Sequence, residues 1–265
     1  KAKEFHEKAL TIAIEINDRH GEGETHKNFG RVFASLGEHR KAIEYQEKPL
    51  AIAIEIGDRN GEGIRYGSLG YVFASLGEYQ KAKEYQEKAL AISINIGNKK
   101  GQGRSYGGLG SVFTSLGECQ KVKEYQEKAL AIAIEIGDKD RKGIRCWSLG
   151  NVSDCLSEYQ KAKEYHEKAL TIAIEIDDRR GERIRYGDLG NVFASLGEYQ
   201  KAKEFQEKAL AIAIEIGDRK GQGRSYGSLG SVFTLLGKYQ KAKEYQEKAL
   251  AIPIEVGDRD GESKT

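Results

Sequence analysis

The chain has 265 residues, 43 basic and 41 acidic side chains for a formal net charge of +2, 38% hydrophobic residues and 32% charged ones. Lys and Glu are interleaved, so there is neither a basic stripe for nucleic acid nor a cationic face for an anionic membrane, and neither partner is expected. No apolar run reaches the ~18–20 residues that span a bilayer, and no secretory signal opens the chain, which points to a cytoplasmic protein.

An apolar fraction this low suits a thin, extended array better than one large globule. Pro occurs only at Pro49 and Pro253, and Met is absent even at residue 1, as expected of a fragment or a processed chain. The three cysteines, Cys119, Cys146 and Cys155, do not recur at a fixed spacing. They are expected to be buried or partly buried thiols in a reducing compartment, with no disulfide framework and no metal quartet.

In chain order, residues 1–17 read as the second half of a unit whose complete copies start at Gly21, Gly61, Gly101, Arg141, Gly181 and Gly221. This gives a half repeat over 1–20 and full repeats over 21–60, 61–100, 101–140, 141–180, 181–220 and 221–260 of a single 1–265 solenoid. In the copy from Gly61, a first helix is predicted from about residue 59 to 75. Asp58 caps it, and Leu69, Val72, Phe73 and Leu76 share one face. Gly77 ends it in the left-handed turn that Gly tolerates. A second helix is predicted from Glu78 to Ile96, with a Glu84/Lys88 pair one turn apart and Gly97 as its stop. Its last stretch, residues 90–96, alternates with period two and resembles a strand. No turn signal separates it from the helical run before it, so it is assigned as helix. Leu90 over Ile94 and Ile92 over Ile96 then make two apolar ridges, as expected of a helix wedged between neighbours.

Tyr66, Leu69, Gly70, Phe73, Gly77, Tyr79, Ala82, Ala89 and Leu90 fall on the W-L-G-Y-G-Y-A-A-L positions of the tetratricopeptide repeat (TPR) signature, and the whole chain resembles that family. The crossing glycine returns as Gly30, Gly70, Gly110, Gly150, Gly190 and Gly230. The leucine of the second helix returns as Leu10, Leu50, Leu90, Leu130, Leu170, Leu210 and Leu250. The 40-residue variant, with its GD-x-x-G joint, resembles LGN/Pins-type adaptors and large invertebrate arrays. The resemblance implies an all-α, right-handed superhelix of antiparallel helix pairs whose first helices line a concave groove.

By that resemblance, groove position two holds Glu24, Ile64, Arg104, Ile144, Ile184 and Arg224. Position six holds Asn28, Ser68, Gly108, Ser148, Asp188 and Ser228. Position nine holds Arg31, Tyr71, Ser111, Asn151, Asn191 and Ser231. These vary while the packing positions stay fixed, which fits either ligand selection or drift on a solvated surface. Arg104 and Arg224 match the arginines, and Asn28, Asn151 and Asn191 the asparagines, with which LGN-type arrays clamp an extended peptide.

Catalytic and cofactor motifs are missing. Gly101-Gln102-Gly103 lacks the third glycine and the preceding strand of a dinucleotide loop. His6, His20, His26, His39 and His166 form no recurring ligand pair, and packing or end exposure is the preferred reading for His26 and His39. The chain is therefore expected to be a protein-binding scaffold without cofactor or metal, presenting its groove to a peptide or helix. The alternatives are an array that self-associates through uncapped ends, or the sensor arm of a larger signalling protein. Two breaks are expected to matter. Pro49 and Pro253 each remove a helix donor, and residues 141–160, with Ser153 for Phe and Ser157 for the turn Gly, are expected to be the weakest joint.

Overall fold

The computed structural model describes residues 2–16 and 18–262. The side chains of Arg31 and Pro253 lie outside what is described, so the groove role expected of one and the packing of the other are not followed further. Thirteen helices succeed one another among the described residues: α1 (Ala2–Glu15), α2 (Arg19–Ser35), α3 (His39–Glu55), α4 (Arg59–Ser75), α5 (Tyr79–Asn95), α6 (Lys99–Ser115), α7 (Cys119–Glu135), α8 (Lys139–Cys155), α9 (Tyr159–Glu175), α10 (Arg179–Ser195), α11 (Tyr199–Glu215), α12 (Arg219–Leu235) and α13 (Tyr239–Glu262). No strand occurs among them, and the Ile-rich stretch falls inside α5.

The local causes are those legible in the residues. Asp58 starts α4 by accepting the amide of Gly61 at 2.8 Å, and Asn98, Asp178 and Asp218 do the same for α6, α10 and α12. The even-numbered helices end where Gly37, Gly77, Gly117, Gly197 and Gly237 take positive φ. At φ +78° for Gly77, an L side chain would clash with its own backbone. The odd-numbered helices from α3 to α11 start without a side-chain cap. In their first turns, exposed pairs such as Lys81–Glu78 at 2.6 Å and Lys121–Glu118 at 2.6 Å add little stability.

The helices divide into two compact units, Lys1–Gly137 and Asp138–Thr265. Within each, an even helix packs against the odd helix after it and against the odd helix before it, and even helices touch each other, as α4 does α6 and α10 does α12. This is an α-solenoid of helix pairs stacked in sequence. Leu69 and Leu109 in the first unit, and Leu149, Leu189 and Leu229 in the second, are completely buried. Phe73 stacks on Tyr85 with centroids 5.1 Å apart, and Phe113 on Tyr125 at 5.3 Å. Such pairs add about 1 kcal/mol each beyond their burial.

The crossing glycines are required by a buried glutamine of the second helix, a residue outside the repeat signature. A Cβ on Gly70 would lie 2.7 Å from Gln86 Nε2 and 2.9 Å from its Cγ. Gln86 is held there, buried, by donating Nε2 to the carbonyl of Gly67 at 3.0 Å. Gln206 repeats this with Gly187 at 2.9 Å, beside Gly190. Gly110 and Gly230 face Gln126 and Gln246 in the same way. Leu90, Leu130 and Leu210 are half-buried rather than core, and Leu210 packs on the Leu229/Phe233 cluster.

Three expectations need correction. The two apolar ridges on the odd helices are one: Ile92 is 7% exposed but Ile94 is 53% exposed, and Ile54, Ile134, Ile174 and Ile214 repeat that exposure. In α5 the covered residues include Ala89, Ile92 and Ser93, and on the other ridge Leu90 is half-buried while Ile94, one turn later, is exposed. The pair expected of Glu84 and Lys88 forms at the same position in other copies, as Lys48–Glu44 at 3.2 Å and Lys128–Glu124 at 2.6 Å, whereas Lys88 lies over the rings of Tyr66 and Tyr85 at 5.5 and 5.3 Å. Cys119 and Cys155 are disulfide-bonded, while Cys146 is a free, buried thiol, which removes the cysteine argument for a reducing compartment. Pro49, in contrast, leaves α3 unbroken and is buried within it.

Residues 141–160 do carry accumulated flaws. Ser153 stands where Phe stacks in the other copies, and its buried hydroxyl has no hydrogen-bond partner. Ser157 (φ 57°) and Asp177 (φ 56°) adopt the left-handed backbone without being glycine. His166 replaces the crossing glutamine against Gly150, and its Nδ1 is buried without a partner.

Candidate binding clefts along the first helices

In the unit Lys1–Gly137, the residues expected to face a groove are brought together between α4 and α6. Ile64, Ser68 and Tyr71 from α4, and Lys100 and Arg104 from α6, line a cleft of about 360 Å³ together with Gly63 and Gly67 of α4, Gln86 and Ser93 of α5, and Ile96 just after it. The two glycines on α4 leave no side chains over α5. The walls are joined at one end by Asn98, whose Nδ2 donates to Asn60 Oδ1 at 2.8 Å across 38 residues of sequence. Ile64 is 39% and Tyr71 50% exposed, so both offer apolar surface to a ligand. Lys100 and Arg104 are exposed cations, and no carboxylate lines the cleft.

The other expected positions are distributed less favourably. Ser111 and Ser231 are exposed but turn their hydroxyls back onto their own helices, to the carbonyls of Gly107 at 3.1 Å and Gly227 at 3.2 Å. Asn191 is exposed, yet its Oδ1 already accepts from Gln206 Nε2 at 2.8 Å. Asn151 and Arg224 are exposed on α8 and α12. Gly108 is buried against Gln86 and Asp188 accepts from Trp147 Nε1 at 2.8 Å, so position six does not face open solvent uniformly.

His26 is packed among aromatic rings, with its centroid 5.7 Å from that of Tyr45, as the packing reading expects. Burial pushes the Cys146 thiol up, away from the thiolate that a nucleophile requires. Among the described residues no cluster of His, Cys, Asp or Glu could hold a metal ion, and no helix is long and apolar enough to cross a membrane. What the α4/α6 cleft offers chemically is recognition: apolar walls, amides and hydroxyls for a peptide backbone, and two cations.

A family model described as tetratricopeptide repeat matches residues 1–55, 64–135, 145–215 and 182–255. No curated protein matches the chain in sequence. Its fold is similar to that of BtubC (BKLC) from P. vanneervenii, at TM-score 0.72 and 20% identity over 83% of this chain and 90% of that one. It is similar to a signal transduction ATPase with numerous domains that carries a tetratricopeptide repeat sensor, from Pyrococcus horikoshii, at TM-score 0.75 and 20% identity over 89% of this chain and 36% of that one. A Rap protein complexed with competence and sporulation factor is similar at TM-score 0.66 and 14% identity, over 90% and 76% of the two chains. Matched by the family model over most of its length, the chain belongs to the tetratricopeptide repeat family.

Proposed function

We propose that this protein-interaction scaffold holds an extended partner peptide in a groove lined by its first helices, with an acidic side chain of the partner directed to Lys100 and Arg104. The observation that carries this is the α4/α6 cleft, where apolar Ile64 and Tyr71 adjoin two cations with no carboxylate among the lining residues. A carboxylate entering there gains charge-assisted hydrogen bonds from Arg104 while its neighbours cover Tyr71. In the second unit, Asn151, Arg224 and Ser231 hold the corresponding positions in this reading, in which the 40-residue repeats of 1–265 have no enzymatic activity. Similarity to a Rap protein complexed with a signalling factor supports peptide binding.

The test is selection of 12-residue peptides on the intact chain, followed by titration against the Tyr71→Ala, Arg104→Glu double variant. Selected peptides should be acidic and should lose at least tenfold in affinity, with the melting curve unchanged. Equal binding by both proteins would sink the reading.

A second reading, self-association, rests on one observation. Leu250 in α13 is 70% exposed, whereas its counterpart Leu210 packs under the next hairpin. A second copy or a following repeat stacked there would cover it, and a mass that rises with concentration in sedimentation would show the former. The similarity to a repeat sensor in a larger ATPase likewise favours a sensor-arm role over a catalytic one.

A further inference from the structure

Two clefts of this chain are the same site displaced by 120 residues. Within Lys1–Gly137, Gly23, Glu24, Pro49, Ile52, Ala53, Ile56, Asp58 and Arg65 line one of about 210 Å³. Within Asp138–Thr265, the matching Gly143, Ile144, Ala169, Ile172, Ala173, Ile176, Asp178 and Arg185 line another of about 280 Å³, together with the exposed Asp140. In the first, Arg65 is buried and its Nη2 donates to Glu24 Oε1 at 2.6 Å, so a carboxylate from the preceding repeat occupies the arginine. In the second, Ile144 stands in the place of Glu24, and that carboxylate is missing.

Arg185 is nevertheless only 8% exposed, and its buried Nε has no hydrogen-bond partner. No ion pair to it forms among the described residues, and Asp188 and Asp178 act on it only through space. Both acids are already engaged. Asp188 accepts from Trp147 Nε1 at 2.8 Å, and Asp178 caps α10 by accepting the Gly181 amide at 2.8 Å. Asp58 does the same capping work beside the Glu24–Arg65 pair, so an acid at that position is compatible with a seated carboxylate. The guanidinium of Arg185 lies over the ring of Trp147, 4.8 Å from its centroid. Stacking fixes the plane of a guanidinium and leaves its edge, which carries the N–H donors, for a planar acceptor. Burying such a cation without a partner is costly, and one entering carboxylate relieves it.

We propose that this cleft is a second recognition site, which takes a Glu or Asp side chain of the partner peptide in the place that Glu24 fills on Arg65. The proposal rests on the peptide-scaffold reading and adds a specific seat to it. Ile144, Ala169, Ile172 and Ile176 give the cleft aliphatic surface for apolar neighbours of the acidic residue, and the carboxylates of Asp140 and Asp178 also line it.

Trp147 is the only tryptophan in the chain, so its fluorescence reports on Arg185 directly. The intact chain is titrated with acetyl-Ile-Glu-Ile-amide and with its Gln counterpart. A saturable change is expected with the Glu peptide and none with the Gln peptide. Ile144 is exposed, so Ile144→Glu should fold normally. It should supply the missing carboxylate from within and weaken the Glu peptide at least tenfold, while Ile144→Leu should leave the response intact. An Ile144→Glu protein that responds like wild type, or equal responses to the two peptides, would overturn the proposal. If selection yields no peptide ligand yet the Trp147 response saturates and Ile144→Glu abolishes it, the groove reading fails and the carboxylate seat stands. If peptides bind through Tyr71 and Arg104 while Trp147 stays silent, the seat alone fails.

Discussion

His166 makes this scaffold acid-sensitive at one identifiable joint. It sits on α9 where the other complete copies carry glutamine, is 1% exposed, and presses on Gly150 of α8. Burial, with a smaller contribution from the charge of Arg185, lowers its pKa from 6.5 to about 4. The unfolded chain therefore binds a proton below pH 6.5 that the folded chain refuses until about pH 4. Stability from this residue is full above the unfolded value, falls as the pH drops, and levels off below about 4. At about 1.4 kcal/mol per pH unit, the whole window corresponds to about 3 kcal/mol, and the step from pH 7 to pH 5 to about 2 kcal/mol. The assay is urea denaturation at those two pH values, followed by Trp147 fluorescence, which reports from α8 within the same hairpin. His166→Gln installs the amide that Gln86 and Gln206 use to reach a first-helix carbonyl. Carboxylates and the buried His26 titrate in both proteins, so the difference between them isolates His166. The wild type should lose about 2 kcal/mol more than the variant. Parallel losses would refute the assignment of the acid step to this residue.

Three further outcomes follow from the irregular copies. Ser157→Gly and Asp177→Gly should each stabilise the second unit by about 1 kcal/mol in the same urea assay, because both positions hold positive φ. Asp tolerates that region better than Ser, so the gain should be larger at Ser157; a loss at either position would show that the left-handed strain is relieved in some other way. Pro49→Ala restores a donor inside α3 and should raise the stability of the first unit by up to about 3 kcal/mol by urea denaturation followed by circular dichroism, with no change marking the proline as already accommodated. In native-state hydrogen exchange, amides of residues 141–160 should exchange faster than those of 181–200, given the orphaned Ser153 hydroxyl and the missing Phe stack. Equal protection would show that Trp147 and Arg185 offset those defects.

Of the α4/α6 cleft, the resemblance to the tetratricopeptide frame implies Ile64, Ser68, Tyr71 and Arg104 as groove positions, and helical spacing allows the first three to share a face. The sequence does not show that Lys100 joins them, that Gly63 and Gly67 line the cleft, or that Asn191 is already bonded to Gln206. Those facts depend on which residue lies across a helix crossing. The glutamine that fixes the crossing was also within reach, since Gln46, Gln86, Gln126, Gln206 and Gln246 recur at one repeat position. The signature assigns no packing role to a polar residue, so recurrence alone does not reveal one.

What the chain determines by itself is whatever a helix of 17 residues can decide locally: the 40-residue period, the Asp and Asn caps, the glycine stops, and helix rather than strand for residues 90–95. Its caps and turns need only residues within three or four positions, all present in one segment. Tertiary structure decided the rest. Ile92 is covered and Ile94 is not, although both stand on the same apolar stretch. Arg65 meets Glu24 and Arg185 meets Trp147 instead, in contacts between successive even-numbered helices. Such pairs span a whole repeat, so the same arginine is satisfied or left open according to a residue that only the stacking of neighbours brings to it.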